Sequence, residues 1–289
     1  MSGAGRLVLV ATPIGNLGDL SPRAVETLAG AGLICCEDTR RTRQLLTHAG
    51  IAGPELVALH GHNEAAMAGR VVARAEAGAV VALVSDAGMP GISDPGQRVV
   101  AAAAAAGVTV SVVPGPSAAL AALVASGLPA DRFCFEGFLP RKGGEREARL
   151  AAIATEPRTV LLYEAPHRMV RTVNDLHHCC GGGRGVALAR ELTKLHEEIW
   201  RGDLAGAAVR VTGGEPRGEW VIVLAGAPVP APPGDDELRA AIAARLERGQ
   251  GTPDAVAAVV ADLGVAHRRA YRVALEVRAA GAGGPGCSE

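Results

Sequence analysis

Short apolar runs recur along the first 115 residues, each followed by an amphipathic stretch, and this alternation constrains the fold more than any other feature of the chain. Leu7–Val10, Leu33–Cys36, Leu56–Leu59, Val80–Val84 and Val108–Val113 have the length and aliphatic composition of strands. Helices are expected between them. One runs from about Pro22 to Ala29, and a second from about Arg40 to Ala49, where Gly50 ends it. A third starts near Asn63 as N-cap and ends at Gly78. A fourth starts near Asp94-Pro95, read as N-cap and first turn, and ends at Gly107. Strand and helix in strict alternation predict a mostly parallel sheet with helices on both faces.

A second α/β set follows, with strands at Phe133–Phe135, Thr159–Leu162, Val186–Ala189, Glu197–Trp200 and Trp220–Leu224. Its connections are shorter, which predicts a partly antiparallel sheet. Pro114-Gly115-Pro116 lies between the sets as a hinge, and the Pro-rich stretch 227–234 reads as a linker. Beyond it, residues 237–248, 253–263 and 267–279 carry helical patterns. The turn at Gly264-Val265, with Arg268, Arg269 and Arg272 on the last helix, fits either a helix-turn-helix module or a capping helical hairpin. The expected organisation is therefore two α/β domains, 1–115 and 116–228, and a helical tail over 236–280.

Composition removes several classes of function. Aromatic residues make up 2% of the 289-residue chain, so the stacked platforms of single-strand binders are not available. Twenty-nine basic residues face 30 acidic ones, so no whole-molecule field draws the chain to nucleic acid or an anionic membrane, and any RNA contact must come from local patches. No apolar run reaches the roughly 20 residues of a membrane span, and Met1–Arg6 lacks the features of a secretory signal. The cysteines, including the neighbours Cys35–Cys36 and Cys179–Cys180, suit reduced thiols and a cytoplasmic protein. There is no Walker A motif, no Gly-x-Gly-x-x-Gly after the first strand and no Cys-x-x-Cys. The run His177-His178-Cys179-Cys180 cannot easily turn four adjacent side chains to one ion, so no metal is expected.

Three strand ends run into Gly/Pro loops: Ala11–Asn16, Ser85–Gly91 with its extension Ser93-Asp94-Pro95-Gly96, and Pro114–Ala118. In a parallel sheet such loops share the carboxyl edge, where ligands bind. Any one of them could be a tight turn and nothing more; three together point to a small-molecule pocket.

Six motifs in register resemble the rRNA small subunit methyltransferase I family of the tetrapyrrole-methylase superfamily. They are Thr12–Asp19, Glu37-Asp38-Thr39-Arg40, Ser85–Gly96, Val113–Ala118, Tyr163–Arg168 and Ala189–Lys194, spread over residues 6–225. The resemblance implies the two-domain fold of class III S-adenosyl-L-methionine (SAM) methyltransferases, and methylation of the ribose 2′-hydroxyl of a cytidine in the 16S rRNA decoding centre of the small ribosomal subunit. It further implies a homodimer with SAM as cofactor. Matched residue by residue, Pro13, Asp86, Ala87, Gly88, Ile92, Ser117 and Ala118 would line the SAM site from the first domain. Tyr163, Ala165, Glu191, Leu192 and Thr193 would close it from the second. The chain departs from the family at Met89, Gly91 and Gly61, where the family usually has Thr, a larger aliphatic residue and a polar residue. Two other readings keep part of this picture: a tetrapyrrole or corrin methyltransferase, and a non-enzymatic SAM-responsive RNA-binding protein.

A ribose hydroxyl is a weak acid, so a base or cationic stabiliser is expected near it. Glu37, Asp38 and Arg40 after the second strand are the candidates, ahead of His60, His62, Asn63 and Glu64 after the third, where Asn63 is also a good N-cap. Arg40 is expected on a phosphate. Arg41 and Arg43 cluster with it, Arg141-Lys142 form a second cationic patch, and His267–Arg272 a third.

Overall fold

Polar residues are scarce in the first sheet, and the reason is its position between two helical layers. The computed structural model describes residues 5–228 and 233–282. Strand β1 (Arg6–Val10) is followed by a short 3₁₀ turn at Leu17–Asp19 and helix α1 (Pro22–Ala29), then β2 (Leu33–Cys36), α2 (Thr39–His48), β3 (Glu55–Ala58), α3 (Glu64–Glu76), β4 (Val80–Leu83), α4 (Gln97–Ala105) and β5 (Thr109–Val113). The strand order is β3-β2-β4-β1-β5, all parallel. Because side chains alternate across a strand, Leu7, Leu33, Cys35 and Leu83 face α3 and α4, packing on Val71 and Val99. Val8, Val10, Ile34 and Cys36 face α1 and pack on Ala24 and Leu28. All four residues of β2 are buried, as expected of a parallel strand covered on both sides.

After β5 the chain passes through Pro114–Ser117 into α5 (Ala118–Ser126), and then builds the second sheet. Its elements are β6 (Phe133–Phe138), α6 (Gly144–Thr155), β7 (Thr159–Glu164), α7 (Pro166–Cys180), β8 (Gly185–Arg190), β9 (Glu198–Asp203), α8 (Leu204–Thr212) and β10 (Trp220–Leu224). The order β6-β7-β10-β8-β9 is mixed: β6 and β7 are parallel, and the other neighbours antiparallel. One face packs Leu162, Leu188 and Ile222 on α6, α7 and α8, through Ile153, Met169 and Leu204. The other packs Leu161, Ala187 and Val223 on Ala119, Ala122 and Leu123 of α5. Ile14, from the loop after β1, joins this second core.

Two local expectations are corrected. Helix α4 does not start at Asp94-Pro95 but at Gln97, after Gly96 with φ +138°. A Cβ at Gly96 would lie 2.8 Å from Leu83 Cδ2, so the position requires glycine. The cap comes from another helix, since Glu64 Oε1 accepts the N–H groups of Gly96 (2.9 Å) and Arg98 (2.7 Å). Asn63 does precede α3, but its side chain makes no cap bond. Its Oδ1 accepts His60 N–H and its Nδ2 donates to Ala58 O, which clamps the loop after β3.

The described residues divide into two compact units, Met1–Ala227 and Pro228–Glu289. The second contains α9 (Asp235–Glu247), α10 (Thr252–Leu263) and α11 (His267–Ala282), packed around Leu238, Ile242, Val256, Val259 and Val273. Gly264 takes the left-handed conformation (φ +63°) that turns α10 into α11. Asp235 pairs with Arg269 (2.7 Å) and Arg272 (3.1 Å), so these two arginines of the expected third cationic patch tie α11 to the start of α9.

Candidate functional site

The loops at the carboxyl edge of the first sheet are laced together by backbone bonds. Thr12 and Gly88 exchange N–H···O bonds (2.9 and 3.0 Å), Ala11 N–H donates to Val113 O, and Thr12 Oγ1 donates to Ser85 O. Two glycines here resist side chains, Gly115 by spacing and Gly88 chiefly by its backbone conformation. A Cβ on Gly115 would lie 2.9 Å from Ala11 Cβ, and Gly88, at φ +80°, is pressed by Ile14 Cγ2 and Pro116 O. This wall presents Ile14, Ala87, Gly88, Met89, Ile92, Ser93, Asp94, Ser117 and Ala118 to a cleft of about 320 Å³.

The facing wall comes from the second sheet. Tyr163, Ala165 and Pro166 stand at the end of β7, Ala189 and Leu192 follow from β8, and the antiparallel β10 brings Glu219–Val221 to the same edge. Phe138 enters at the end of β6 after a register break at Phe135/Gly137, and packs on Tyr163 with ring centroids 5.6 Å apart. Trp220 lines this cleft too, and its buried indole Nε1–H has no partner among the described residues. Glu191 and Thr193 take positive φ (+49° and +66°), and they support the wall from outside the cleft. Glu191 Oε1 accepts Lys194 Nζ and Glu219 N–H, while Thr193 Oγ1 accepts the N–H of Asn16 from the opposite wall.

Ala87, Gly88, Ile92, Ser117, Ala118, Tyr163, Ala165 and Leu192 thus share one cleft. Pro13 and Asp86 do not line it. They belong to an adjoining hollow of about 290 Å³ with Thr12, Leu17, Arg41 and Gln44. Phe138 and Trp220 also line the cleft and carry no signal in the sequence that marks them for it. Asp94, expected on the extension of a pocket loop but as a helix cap, faces the cleft instead.

The two compartments differ in charge. Asp94 is half-buried in the cleft, and burial, reinforced by the neighbouring carboxylates of Glu37 and Asp86, pushes its pKa up to about 6. Burial also raises Tyr163 above the usual phenol value. Such a carboxylate, in a mainly apolar cleft, is matched by a cationic ligand. Toward the hollow, Asp86 Oδ1 accepts Asp38 N–H (3.0 Å), and its other oxygen lies 3.5 Å from Arg41.

The three proton-transfer candidates, Glu37, Asp38 and Arg40, line neither compartment, and they are not equivalent. Burial first, then the charge of Asp86, raises the pKa of Glu37 above the ordinary value. Asp38 caps α2 through Arg40 N–H and also takes the Arg40 guanidinium, which holds its carboxyl down at about 2. Asp38 is therefore a poor proton acceptor at neutral pH. Arg40 is exposed but already paired with Asp38 (2.9 Å). Arg141 and Lys142 are exposed in the loop after β6. Among the described residues no group of three or more His, Cys, Asp or Glu is placed to hold a metal ion, and no helix is long and apolar enough to cross a membrane.

A cleft between two α/β sheets, walled by strand-end loops, defines a tetrapyrrole-type methylase. The family described as Tetrapyrrole (Corrin/Porphyrin) Methylases matches residues 6–208. The chain is 46% identical over 283 residues to "Ribosomal RNA small subunit methyltransferase I" of Synechocystis sp., covering 96% of this chain and all of that one. It is 54% identical over 229 residues to the protein of the same name from Xylella fastidiosa (strain Temecula1), covering 78% and 84%. Among solved structures, the methyltransferase CobJ aligns with TM-score 0.59 and 25% identity, over 77% of this chain and 95% of that one. The chain belongs to the ribosomal RNA small subunit methyltransferase I family.

Proposed function

We propose that this protein transfers the methyl group of SAM to the ribose 2′-hydroxyl of a cytidine in the 16S rRNA of the small ribosomal subunit, acting in the cytoplasm as a homodimer. The observation that carries the reading is the paired compartment: a mainly apolar cleft holding the Asp94 carboxylate beside a hollow bordered by Asp86 and Arg41. The name carried by its relatives gives the substrate class.

The cleft suits SAM. Its volume is in the range of small-molecule sites, Gly88 is a cradle that a side chain would distort, and Asp94 offers a negative charge to a cation. When bound, SAM supplies a methyl carbon already activated by a sulfonium. Asp94 would pair with the positive charge of the cofactor, and the loop backbone at Ala87–Gly88 and Ser117–Ala118 would hold its polar edges. Ile92, Leu192 and Phe138 give the cleft apolar surface, and Tyr163 packs on Phe138. Glu37 would take the proton of the ribose hydroxyl, since its raised pKa brings it nearer the operating pH than that of Asp38. Asp38, through Arg40, orients the start of α2, where Arg40, Arg41 and Arg43 meet phosphates. Arg141 and Lys142 meet the RNA on the side of the second sheet.

The homodimer is supported by α5, which is apolar all round: Leu120 and Val124 remain 50% and 75% exposed on its outer side.

The test supplies methyl-labelled SAM together with unmodified small subunits, naked 16S rRNA or a tetrapyrrole precursor, followed by nucleoside mass analysis. Label in 2′-O-methylcytidine is expected. Label confined to the macrocycle, or bound SAM with no transfer to any acceptor, overturns the reading.

A further inference from the structure

Three arginines on α6 and α7 reach back to three successive backbone carbonyls of one loop. Arg168 Nη2 donates to Leu139 O (2.5 Å), Arg146 Nη1 to Pro140 O (3.0 Å) and Arg171 Nη1 to Arg141 O (3.1 Å). The loop leaves β6 directly after Phe138, which lines the cleft, and it carries the exposed Arg141 and Lys142.

The donors are themselves fixed. Arg146 is buried and forks onto Asp175 Oδ2 (2.9 Å from Nε, 2.7 Å from Nη2), while Nη2 also donates to Thr172 Oγ1 (3.0 Å). Thr172 Oγ1 donates in turn to Glu164 Oε2 (2.5 Å). The side chain of Glu164 is fully buried; its Oε1 lies 3.1 Å from Arg168 Nε and accepts the N–H of Ala165. Asp175 also faces Arg171 Nε at 3.7 Å. One continuous network therefore runs from Glu164, between Tyr163 and Ala165 on the cleft wall, to the carbonyls of residues 139–141.

Burying guanidinium groups is costly unless their donors are satisfied, and here the loop carbonyls supply part of that satisfaction. A core of similar volume built from aliphatic side chains would support α6 on α7 without fixing the loop. What the network adds is the placement of a cationic loop relative to the cleft.

We propose that Arg146, Arg168 and Arg171 are positioning residues for RNA engagement: they hold loop 139–143 so that Arg141 and Lys142 stand in a fixed place relative to the cleft, with Glu164 tying that place to the cofactor wall. The proposal rests on the RNA-methylation reading given above. Its chemistry is general, since pre-ordering a binding loop lowers the cost of ordering it on the ligand.

The test uses the full-length chain with Arg171→Met, which alters only the surface end of the network, and with Arg146→Met and Arg146→Lys. Three quantities are measured: amide exchange across residues 139–144, KM for small subunits against kcat, and SAM affinity by calorimetry. In Arg171→Met and Arg146→Met, loop exchange is expected to quicken and KM for RNA to rise about tenfold, the scale of one charge-assisted hydrogen bond. SAM affinity should stay within about twofold of wild type. Arg146→Lys should recover only part of the loss, because an ammonium cannot reproduce the planar fork. Unchanged loop exchange, or faster exchange with unchanged KM for RNA, overturns the proposal, as does a parallel loss of SAM affinity. Failure of the underlying reading is separately visible, because wild type itself would then transfer no methyl group to RNA.

Discussion

Asp86 Oδ1 accepts the backbone N–H of Asp38 at 3.0 Å, so the carboxyl end of β4 holds the carboxyl end of β2. The same carboxylate lies 3.5 Å from Arg41 on the first turn of α2. Asp86 thereby fixes the corner that carries Glu37, Asp38 and the arginine cluster.

Replacing Asp86 by Ala leaves the Asp38 N–H without its acceptor, and about 1–2 kcal/mol of stability should be lost. Asp86→Asn keeps an acceptor oxygen and should lose clearly less. Denaturant unfolding of both variants checks the difference, and an Ala variant as stable as wild type would refute the bracing role.

If the cleft holds SAM as proposed, Asp94 is expected to link its binding to pH. Its carboxyl keeps its proton up to about pH 6 in the fold, against an ordinary value of 3.8. Its contribution to folding is therefore fully present below about pH 4 and is lost as pH rises through 6, above which the half-buried charge opposes the fold. Asp94→Asn removes that opposition. At pH 7.5 the variant should melt no lower than wild type while binding SAM at least about tenfold more weakly. Wild-type affinity for SAM should also fall as pH drops below about 6. Calorimetry at several pH values checks both, and pH-independent affinity would argue against pairing with a cation.

Glu37→Gln should slow methyl transfer by about a hundredfold or more, the usual contribution of a positioned base. SAM affinity should change little, since Glu37 does not line the cleft. Asp38→Asn keeps an N-cap oxygen and loses only an ion pair with the exposed Arg40, so its rate should stay within a few-fold of wild type. Single-turnover rates at saturating SAM separate the two. Because the pKa of Glu37 is raised, wild-type activity should climb with pH through a limb above the ordinary Glu range and then level off.

On α5, Leu120→Glu combined with Val124→Glu places two charges on a face that is apolar and exposed. The expected result is a folded monomer where wild type sediments as a dimer. A wild-type monomer at micromolar concentration would remove the proposed assembly.

The strands were legible wherever composition alone decides. Leu33–Cys36 is apolar at every position because both of its faces are covered, and its limits in the structure are those read from the run. The order of the second sheet was not legible, because antiparallel pairing of β10 between β7 and β8 depends on long-range register. Asp94-Pro95 looked like a helix start because Asp and Pro favour that place; the conformation of Gly96 overrode the local preference and left Asp94 facing the cleft. Similarity in register marked the Ala189–Lys194 turn, but it could not tell which side chains point inward. Of that segment Ala189 and Leu192 line the cleft, while Glu191 and Thr193, both at positive φ, do not.

Glu64 gives α4 its N-terminal cap from a helix 32 residues earlier in the chain. The first turn of α4 has no side-chain cap of its own, and a nine-residue segment is too short to persist alone in water. Helix α4 should thus become ordered only after α3 has docked. The loop that precedes α4 contains Asp94, so this wall of the cleft would be among the last parts of the first sheet's surroundings to set during folding, and among the first to loosen under stress.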